Sequence, residues 1–421
     1  MENYHVFKFG GASVKDADAI KNLSNIINKR LQNQMIIIIS AIGKTTNALE
    51  EILNLKLQGL EYTTNMVALR QIHLDICGEL FEKEAPVFAW IDNLFTQLSR
   101  QMEKNLAKEN YDEFYDQVVG VGELLSTRIV QEYLCQQQLF CIWQDARELI
   151  RTNDDFRFAK VDWEITQANC KKLLLSNSSQ FPIVTQGFIG REAKGRTTTL
   201  GREGSDFTAA ILATCVKAKS VTIWKDVEGV LNADPKRFAN TIRFEQLDYR
   251  EAAELTYYGA SVIHPKTIKP LANAQIPLFV KSFLNPEAPG TAIGNFDVQH
   301  ATPVIVIKEK QILVTFRVMD FTFIEESHIH QVYRVLEKLK LKVNLLQISA
   351  ITLSICIDHE LFKLERLMQE LRHFFEIRYN ENLLLITVKN KEMNTIDGIL
   401  KGREVLLEQA TRTTFQVVTK A

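Results

Sequence analysis

What this sequence has little of narrows its possibilities before any motif is considered. Six cysteines (Cys77, Cys135, Cys141, Cys170, Cys215 and Cys356) are scattered over 421 residues, with no C-x-x-C pair and no histidine cluster beside one. That spacing argues against a disulfide framework or a structural zinc site and fits a reducing cytosol. An excess of one charge is missing too, since 50 Lys and Arg stand against 51 Asp and Glu. No bulk field therefore draws the protein to nucleic acid or an anionic membrane. No apolar run approaches the roughly 18 residues a membrane helix needs. The opening MENYHVFKFGG is strand-like at once and does not read as a signal peptide. The expectation is a soluble cytoplasmic protein without nucleic-acid or membrane partners.

The length suffices for two or three domains with a large core. Tyr4 to Phe9 alternates as a β-strand and is broken by Gly10-Gly11, after which Ser13 reads as the N-cap of a helix from about Lys15 to Leu31. Met35 to Ile39, MIIII, is a continuous apolar run, the mark of a strand buried on both faces of a parallel sheet. Gly43-Lys44-Thr45 after it invites a phosphate-loop reading, but that pattern needs glycine where Ile38 stands. From Asn47 to Gln117 the pattern is helical, a candidate lid beside a cleft, with His73 on an apolar stripe as a core or surface histidine. Further strands are expected at Leu139–Trp143 (buried), Pro182–Thr185, Val221–Trp224 and Ile276–Phe283, with a short helix at Glu251–Gly259 and a turn-rich close around Asn285–Thr291. Strands alternating with helices mean βαβ units and an open, mainly parallel sheet covered on both faces.

After a linker around Asn295 to Pro303 the texture changes. Strands at Gln311–Val318, Val343–Ile348 and Ile351–Ile357 alternate with helices at Ile329–Leu339 and Leu361–Phe375, a ferredoxin-like rhythm. A second copy follows, with strands at Leu383–Val388 and Thr414–Val418 around a helix-like Ile396–Leu407, and it is short for a complete unit.

The stretch richest in chemistry is Thr197 to Asp206, T-T-T-L-G-R-E-G-S-D, leading into the helical FTAAILATCV. Ser205-Asp206 stands where an N-cap belongs, and the N–H groups of the helix start attract negative charge. Arg202 offers a planar fork to a carboxylate or phosphate, and Asp206 can hold a cation. Lys8, the two glycines and the next helix start form a second anion-binding constellation. Ser40, Thr45 and Thr46 lie at a strand's carboxyl end, where open α/β sheets place ligands. Glu123 falls in the first turn of a helix that begins at Gly120, a favourable place for a carboxylate.

Taken in order, K-F-G-G-A-S-V (Lys8–Val14), V-G-V-G-E-L-L-S-T, Q-G-F-I-G-R, the T-T-T-L-G-R-E-G-S-D segment, W-K-D-V-E-G-V-x-x-A-D-P and E-A-A-E-L-T-Y-Y-G-A-S-V-I-H-P resemble the aspartate kinases across the whole chain. The resemblance implies an amino-acid-kinase catalytic domain over residues 1–297, with a helical insertion at about 46–118. ACT-like regulatory domains would follow at 304–380 and, shorter, 381–421. It implies transfer of phosphate from ATP, with Mg2+, to the β-carboxylate of L-aspartate, the entry to lysine, threonine and methionine synthesis.

By the same resemblance Lys8, Gly10 and Gly11 would meet the transferring phosphoryl group, and Asp206 would orient Lys8. Arg202 would clamp the α-carboxylate and Glu123 the ammonium, while Ser40, Thr46 and Ser205 would help to seat the substrate. Lys225, Asp226, Leu231, Lys236 and Ser261 would lie along the nucleotide. Leu231, Lys236 and Ser261 replace the family's usual Tyr, Arg and Lys, and Lys225 or Lys266 could stand in for the last of these. No metal ligand from the protein is expected. Asn344, Ile348 and Ser349 mark a regulatory segment for lysine or threonine, in which Ala350 replaces a common acid. A homodimer or larger homo-oligomer through the ACT-like domains is implied. The alternatives are an amino-acid sensor built on a kinase body and another carboxylate kinase of the same fold.

Overall fold

The alternating Y-H-V-F-K-F stretch forms strand β1 (His5–Phe9), and MIIII forms β2 (Met35–Ile39), paired with it in parallel register from His5 opposite Met35 to Phe9 opposite Ile39. The computed structural model describes residues 4–31, 34–176, 181–260, 262–298, 300–320 and 322–420. The chain divides into two units: Met1–Val230, Arg243–Ala253 and Val262–Val298 form one, and Leu231–Ile242, Glu254–Ser261 and Gln299–Ala421 the other.

In the first unit the strands continue with β3 (Ile142–Gln144), β4 (Ile183–Gln186), β5 (Ile189–Arg191), β6 (Thr197–Thr199), β7 (Ser220–Lys225), β8 (Gln246–Asp248), β9 (Leu278–Ser282) and β10 (Thr291–Gly294). Eight of them make one sheet in the order β3-β4-β2-β1-β7-β9-β10-β8, and only β9 with β10 is antiparallel. Every residue of β2 is buried, as a central strand with both faces covered requires. Trp224 of β7 is also fully buried and stacks on Phe9 at 5.9 Å. β5 and β6 form a separate two-stranded ribbon. β1 lies between β2 and β7, so the chain order changes direction beside it. Ligand crevices in open α/β sheets form outside the carboxyl ends at such a point.

The helices are α1 (Ala17–Arg30), α2 (Thr45–Leu57), α3 (Thr63–Leu80), α4 (Pro86–Glu103), α5 (Tyr111–Val119), α6 (Val121–Gln136), α7 (Ala146–Leu149), α8 (Trp163–Ser176), α9 (Gly204–Val216), α10 (Tyr249–Tyr258) and α11 (Pro265–Ala274). The stretch read as helical throughout is α2 to α5. His73 there is a satisfied core histidine, its Nδ1 2.8 Å from the Leu69 carbonyl.

Several expectations are corrected. Ser13 is not a helix cap: it lies buried in a 3-10 turn, and α1 starts later because Asp16 accepts from the Ala19 N–H at 2.8 Å. Ser205 and Asp206 are not caps either, since α9 starts at Gly204 behind Glu203 in the left-handed region (φ 55°) and takes both into its first turn. β3 is shorter than expected and half-buried because it ends the sheet. The last residue of the turn-rich close, Thr291, opens β10, and α11 starts at Pro265 behind His264, with proline at its first position.

The second unit holds β11 (Val304–Val318), α12 (Glu326–Lys338), β12 (Val343–Ile348), β13 (Thr352–Asp358), α13 (Leu361–Leu371), β14 (Phe375–Lys389), α14 (Met393–Leu400), β15 (Val405–Ala410) and β16 (Thr414–Lys420). The strands make one antiparallel sheet, β12-β13-β11-β14-β16-β15. β14 runs unbroken through the expected break at 380/381. β11 is equally long: its first half, from Val304, pairs with the second half of β14, and its second half pairs with the first. The short second copy is thus completed by residues that precede the first. Phe375 starts a strand rather than ending a helix, and the expected helix end at Leu407 is β15, whose alternate residue Leu407 is buried.

Candidate active site

The carboxyl ends of β1 and β7 carry two lysines, Lys8 and Lys225, and the first turn of α9 brings Asp206 between them. Lys8 Nζ lies 2.5 Å from Asp206 Oδ1, and Lys225 Nζ lies 3.1 Å from Oδ2. Asp206 is fully buried and Lys8 nearly so. Burial alone would raise the Asp206 carboxyl, but the two ammonium groups outweigh it and hold the pKa below the usual carboxylate range. Lys225 gains in turn: burial works against its charge, yet Asp206 and Glu203, 3.8 Å away, carry its pKa upward. The arrangement fixes two cations at the sheet's carboxyl edge.

Next to Lys8 the backbone turns through Gly11, where a Cβ would stand 2.9 Å from the carbonyl oxygens of both Ala41 and Gly43. Only glycine lets the segment after β1 approach the one after β2 so closely. Ser40 and Thr46 face the cleft from that second segment and from the first turn of α2. Glu123 enters from the first turn of α6, almost completely buried, and its Oε2 has no hydrogen-bond partner. Burial pushes this carboxyl up to about 8, against the smaller pull of the Ala41 N–H and Lys8. A buried acid with a free oxygen is a receptor for a cationic group.

The loop after β6 supplies the opposite wall. Arg202 is exposed there, and Ser205 is buried where Gly187 presses on it; a Cβ on Gly187 would clash with Ser205 Cβ. Together these residues surround a cleft of about 590 Å³ that contains Lys8, Gly11, Ser40, Thr46, Glu123, Arg202 and Ser205.

Four further lining residues, Glu50, Tyr115, Arg157 and Phe188, were not singled out in the sequence. Nor was Asp116, a fully buried carboxylate that accepts from the Thr199 N–H (2.8 Å), the Thr199 hydroxyl (2.7 Å) and the Arg157 N–H (2.9 Å). Burial raises its pKa to about 6, the three donors pulling it back. The one available signal was an acid on the apolar side of α5, next to aromatic Tyr115.

The other expected residues among those described do not line this cleft. Gly10 is beside Lys8, at 3.6 Å from its Nζ to an added Cβ, and Asp226 is exposed just after Lys225. Leu231 and Lys236 belong to the second unit, where Lys236 is exposed and donates its N–H to Asp234. Ser261 lies outside the described residues. Lys266 is an exposed residue of α11. Asn344 is buried and committed within its own sheet: Nδ2 donates to Gln311 and Asp358, each at 2.9 Å, and Oδ1 accepts from Lys308 at 2.8 Å. Ile348 and Ser349 are exposed, with the Ser349 hydroxyl 2.6 Å from that of Thr352. Among the described residues no three His, Cys, Asp or Glu groups converge as a metal cage, and no helix is long and apolar enough to cross a membrane.

A sheet edge that presents fixed cations, with a buried acid and a guanidinium across one cleft, has the charges to meet both a zwitterion and an anionic group. The sequence pattern of the amino acid kinase family matches residues 3–282. Lysine-sensitive aspartokinase 3 of Escherichia coli is 30% identical over 413 residues, covering 96% of this chain and 90% of that protein. The chloroplastic aspartokinase 1 of Arabidopsis thaliana is 30% identical over 417 residues, 96% of this chain and 72% of that one. The crystal structure of E. coli aspartokinase III with aspartate and ADP (R-state) superposes with a TM-score of 0.85 at 27% identity, covering 99% of this chain and 96% of the other. The same enzyme with lysine and aspartate (T-state) gives 0.77 at 28% identity, over 99% and 95% of the two chains. The chain belongs to the amino acid kinase family and, within it, to the aspartokinases.

Proposed function

We propose that this protein transfers the γ-phosphoryl group of ATP to the side-chain carboxylate of L-aspartate, giving ADP and 4-phospho-L-aspartate. The observation that carries the reading is the unpartnered Oε2 of buried Glu123 in one cleft with Lys8 and Arg202. An amino acid presents an ammonium and an α-carboxylate, which suit an acid and a planar fork. Glu123 takes the ammonium, Arg202 clamps the α-carboxylate, and Ser40, Thr46 and Ser205 hold the backbone between them. The side-chain carboxylate is then free to attack the γ-phosphorus in line.

Phosphoryl transfer asks for positioning and charge stabilisation rather than a covalent intermediate. Lys8 stabilises the equatorial oxygens, and Asp206 keeps it aimed. The N–H groups beside Gly10 and Gly11 share that load, and Lys225 with Asp226 lies along the nucleotide. Mg2+, when bound with ATP, would neutralise charge on its phosphates.

The direct test is ADP release with Mg-ATP and L-aspartate, with and without lysine or threonine. Aspartate-dependent turnover is expected, and a folded enzyme that shows none ends the proposal. Lysine is the first effector to test, because a lysine-sensitive relative covers nearly the whole chain. The free edges of the second sheet, β12 and β15, are where a second copy could extend it into a homodimer.

Two mutational and pH outcomes follow from the site. Arg202→Ala should raise the KM for aspartate roughly ten- to hundredfold, the usual loss for truncating a charged hydrogen-bond partner. The KM for ATP should change little, and an unchanged aspartate KM removes the clamp. Glu123 is protonated in the empty site below about pH 8. Pairing with the substrate ammonium lowers its pKa, so binding at pH 7 should release most of a proton. Calorimetry in buffers of different ionisation enthalpy measures this release, and Glu123→Gln should abolish it. No difference between the two proteins sinks the assignment.

A further inference from the structure

We propose that Arg157 is a second guanidinium fork of the substrate site, the one that recognises the side-chain carboxylate of the dicarboxylic amino acid and holds the acyl phosphate after transfer. The inference rests on the aspartate-kinase reading above and adds to it the residue that selects the acidic side chain.

Arg157 lies in the loop before α8 and lines the cleft together with Arg202. Its backbone is left-handed, φ 67°, a conformation that favours glycine and is unfavourable for a long side chain. Such an outlier persists when its surroundings over-determine it, and here they do. The Arg157 N–H is held by buried Asp116, which also holds both donors of Thr199, and Thr199 is the last residue before the turn that carries Arg202. One carboxylate therefore ties both arginine-bearing loops to α5.

The side chain is positioned as firmly as the backbone. The guanidinium carbon stands 4.5 Å from the Tyr115 ring centroid and 5.8 Å from that of Tyr111. Stacking of this kind occupies the faces of the guanidinium and leaves its in-plane donors for other partners. Its ion pair with Asp112, at 3.3 Å, joins two side chains that are each more than a third exposed, and such a pair is readily exchanged for a better anion. Lys8 and Lys225 are already committed to Asp206. Arg202 and Arg157 are thus two forks in one cleft, matching the two carboxylates of aspartate. A cation beside the attacking carboxylate also offsets its repulsion from the ATP phosphates.

The test compares aspartate with asparagine, which has the same size and lacks the side-chain charge. Arg157→Gly suits the left-handed backbone and removes only the side chain; Arg157→Gln, shorter but still polar with two N–H donors and no charge, repeats the measurement should glycine loosen the loop. Both should raise the aspartate KM about ten- to hundredfold. The inhibition constant of asparagine, the KM of ATP and the thermal midpoint should stay within about twofold or a few degrees of wild type. Equal weakening of aspartate and asparagine would show a structural role and overturn the proposal, as would an unchanged aspartate KM or a rise confined to ATP. If the unmodified enzyme shows no turnover, the aspartate-kinase reading itself fails. Calorimetric binding of aspartate against asparagine in the two proteins then scores Arg157 separately.

Discussion

Replacing Lys8 by alanine is expected to lower kcat by about a hundred- to thousandfold, the range found when one preorganised donor to a developing anion is removed. The KM for aspartate should hardly move, because Glu123 and Arg202 bind the amino acid from other elements of the cleft. Folding should survive as well: Asp206 loses one partner at 2.5 Å and keeps Lys225 at 3.1 Å. The signature is a loss in kcat without a loss in binding. A variant retaining more than a tenth of the wild-type kcat would show that Lys8 does not stabilise the transferring group.

Asp206→Ala should act on stability as strongly as on rate. It leaves two cations at the sheet edge without their common counter-ion, and breaking a buried ion pair from one side costs about 3–5 kcal/mol. Glu203, 3.8 Å from Lys225, can recover part of that. A large fall in the urea midpoint with an unchanged slope is the expected result; an unchanged midpoint would mean the triad is loosely held. The pH dependence has a definite sign. The folded carboxyl is held below its unfolded value, so its stabilisation is fully present above the ordinary carboxylate range and disappears as pH falls through the folded value. Asp206→Ala should lose that acid-limb dependence.

Much of this site could be read from the chain because its parts sit at the ends of strands with unmistakable patterns. MIIII announces a central parallel strand, and glycine after the first strand announces an anion-binding turn. The T-T-T-L-G-R-E-G-S-D segment places Arg202 and Asp206 within a few residues of each other. What could not be read depends on partners far apart in sequence. That Lys225 shares Asp206 with Lys8 follows from β7 lying beside β1, a neighbourhood with no local signal. Asp116 looks like any acid on a helix until Thr199 and Arg157 fold against it. Arg157 sits in an aperiodic loop, where nothing marks a left-handed arginine. The same holds for β14, where exposed polar residues around Asn380 interrupt the alternation that would have announced a strand from Phe375.

The long strands of the second sheet carry a consequence for biosynthesis. Val304 leaves the ribosome well before the residue it pairs with, Lys389, because all of the first copy lies between them. A nascent chain can close the first ferredoxin-like copy around the later half of β11 and must keep the earlier half waiting, edge exposed, until the later half of β14 is made. That unpaired edge is the surface most open to chaperones and to mispairing with a neighbouring nascent chain. Arrival of the later half of β14, rather than completion of the first copy, is the moment at which this edge is covered.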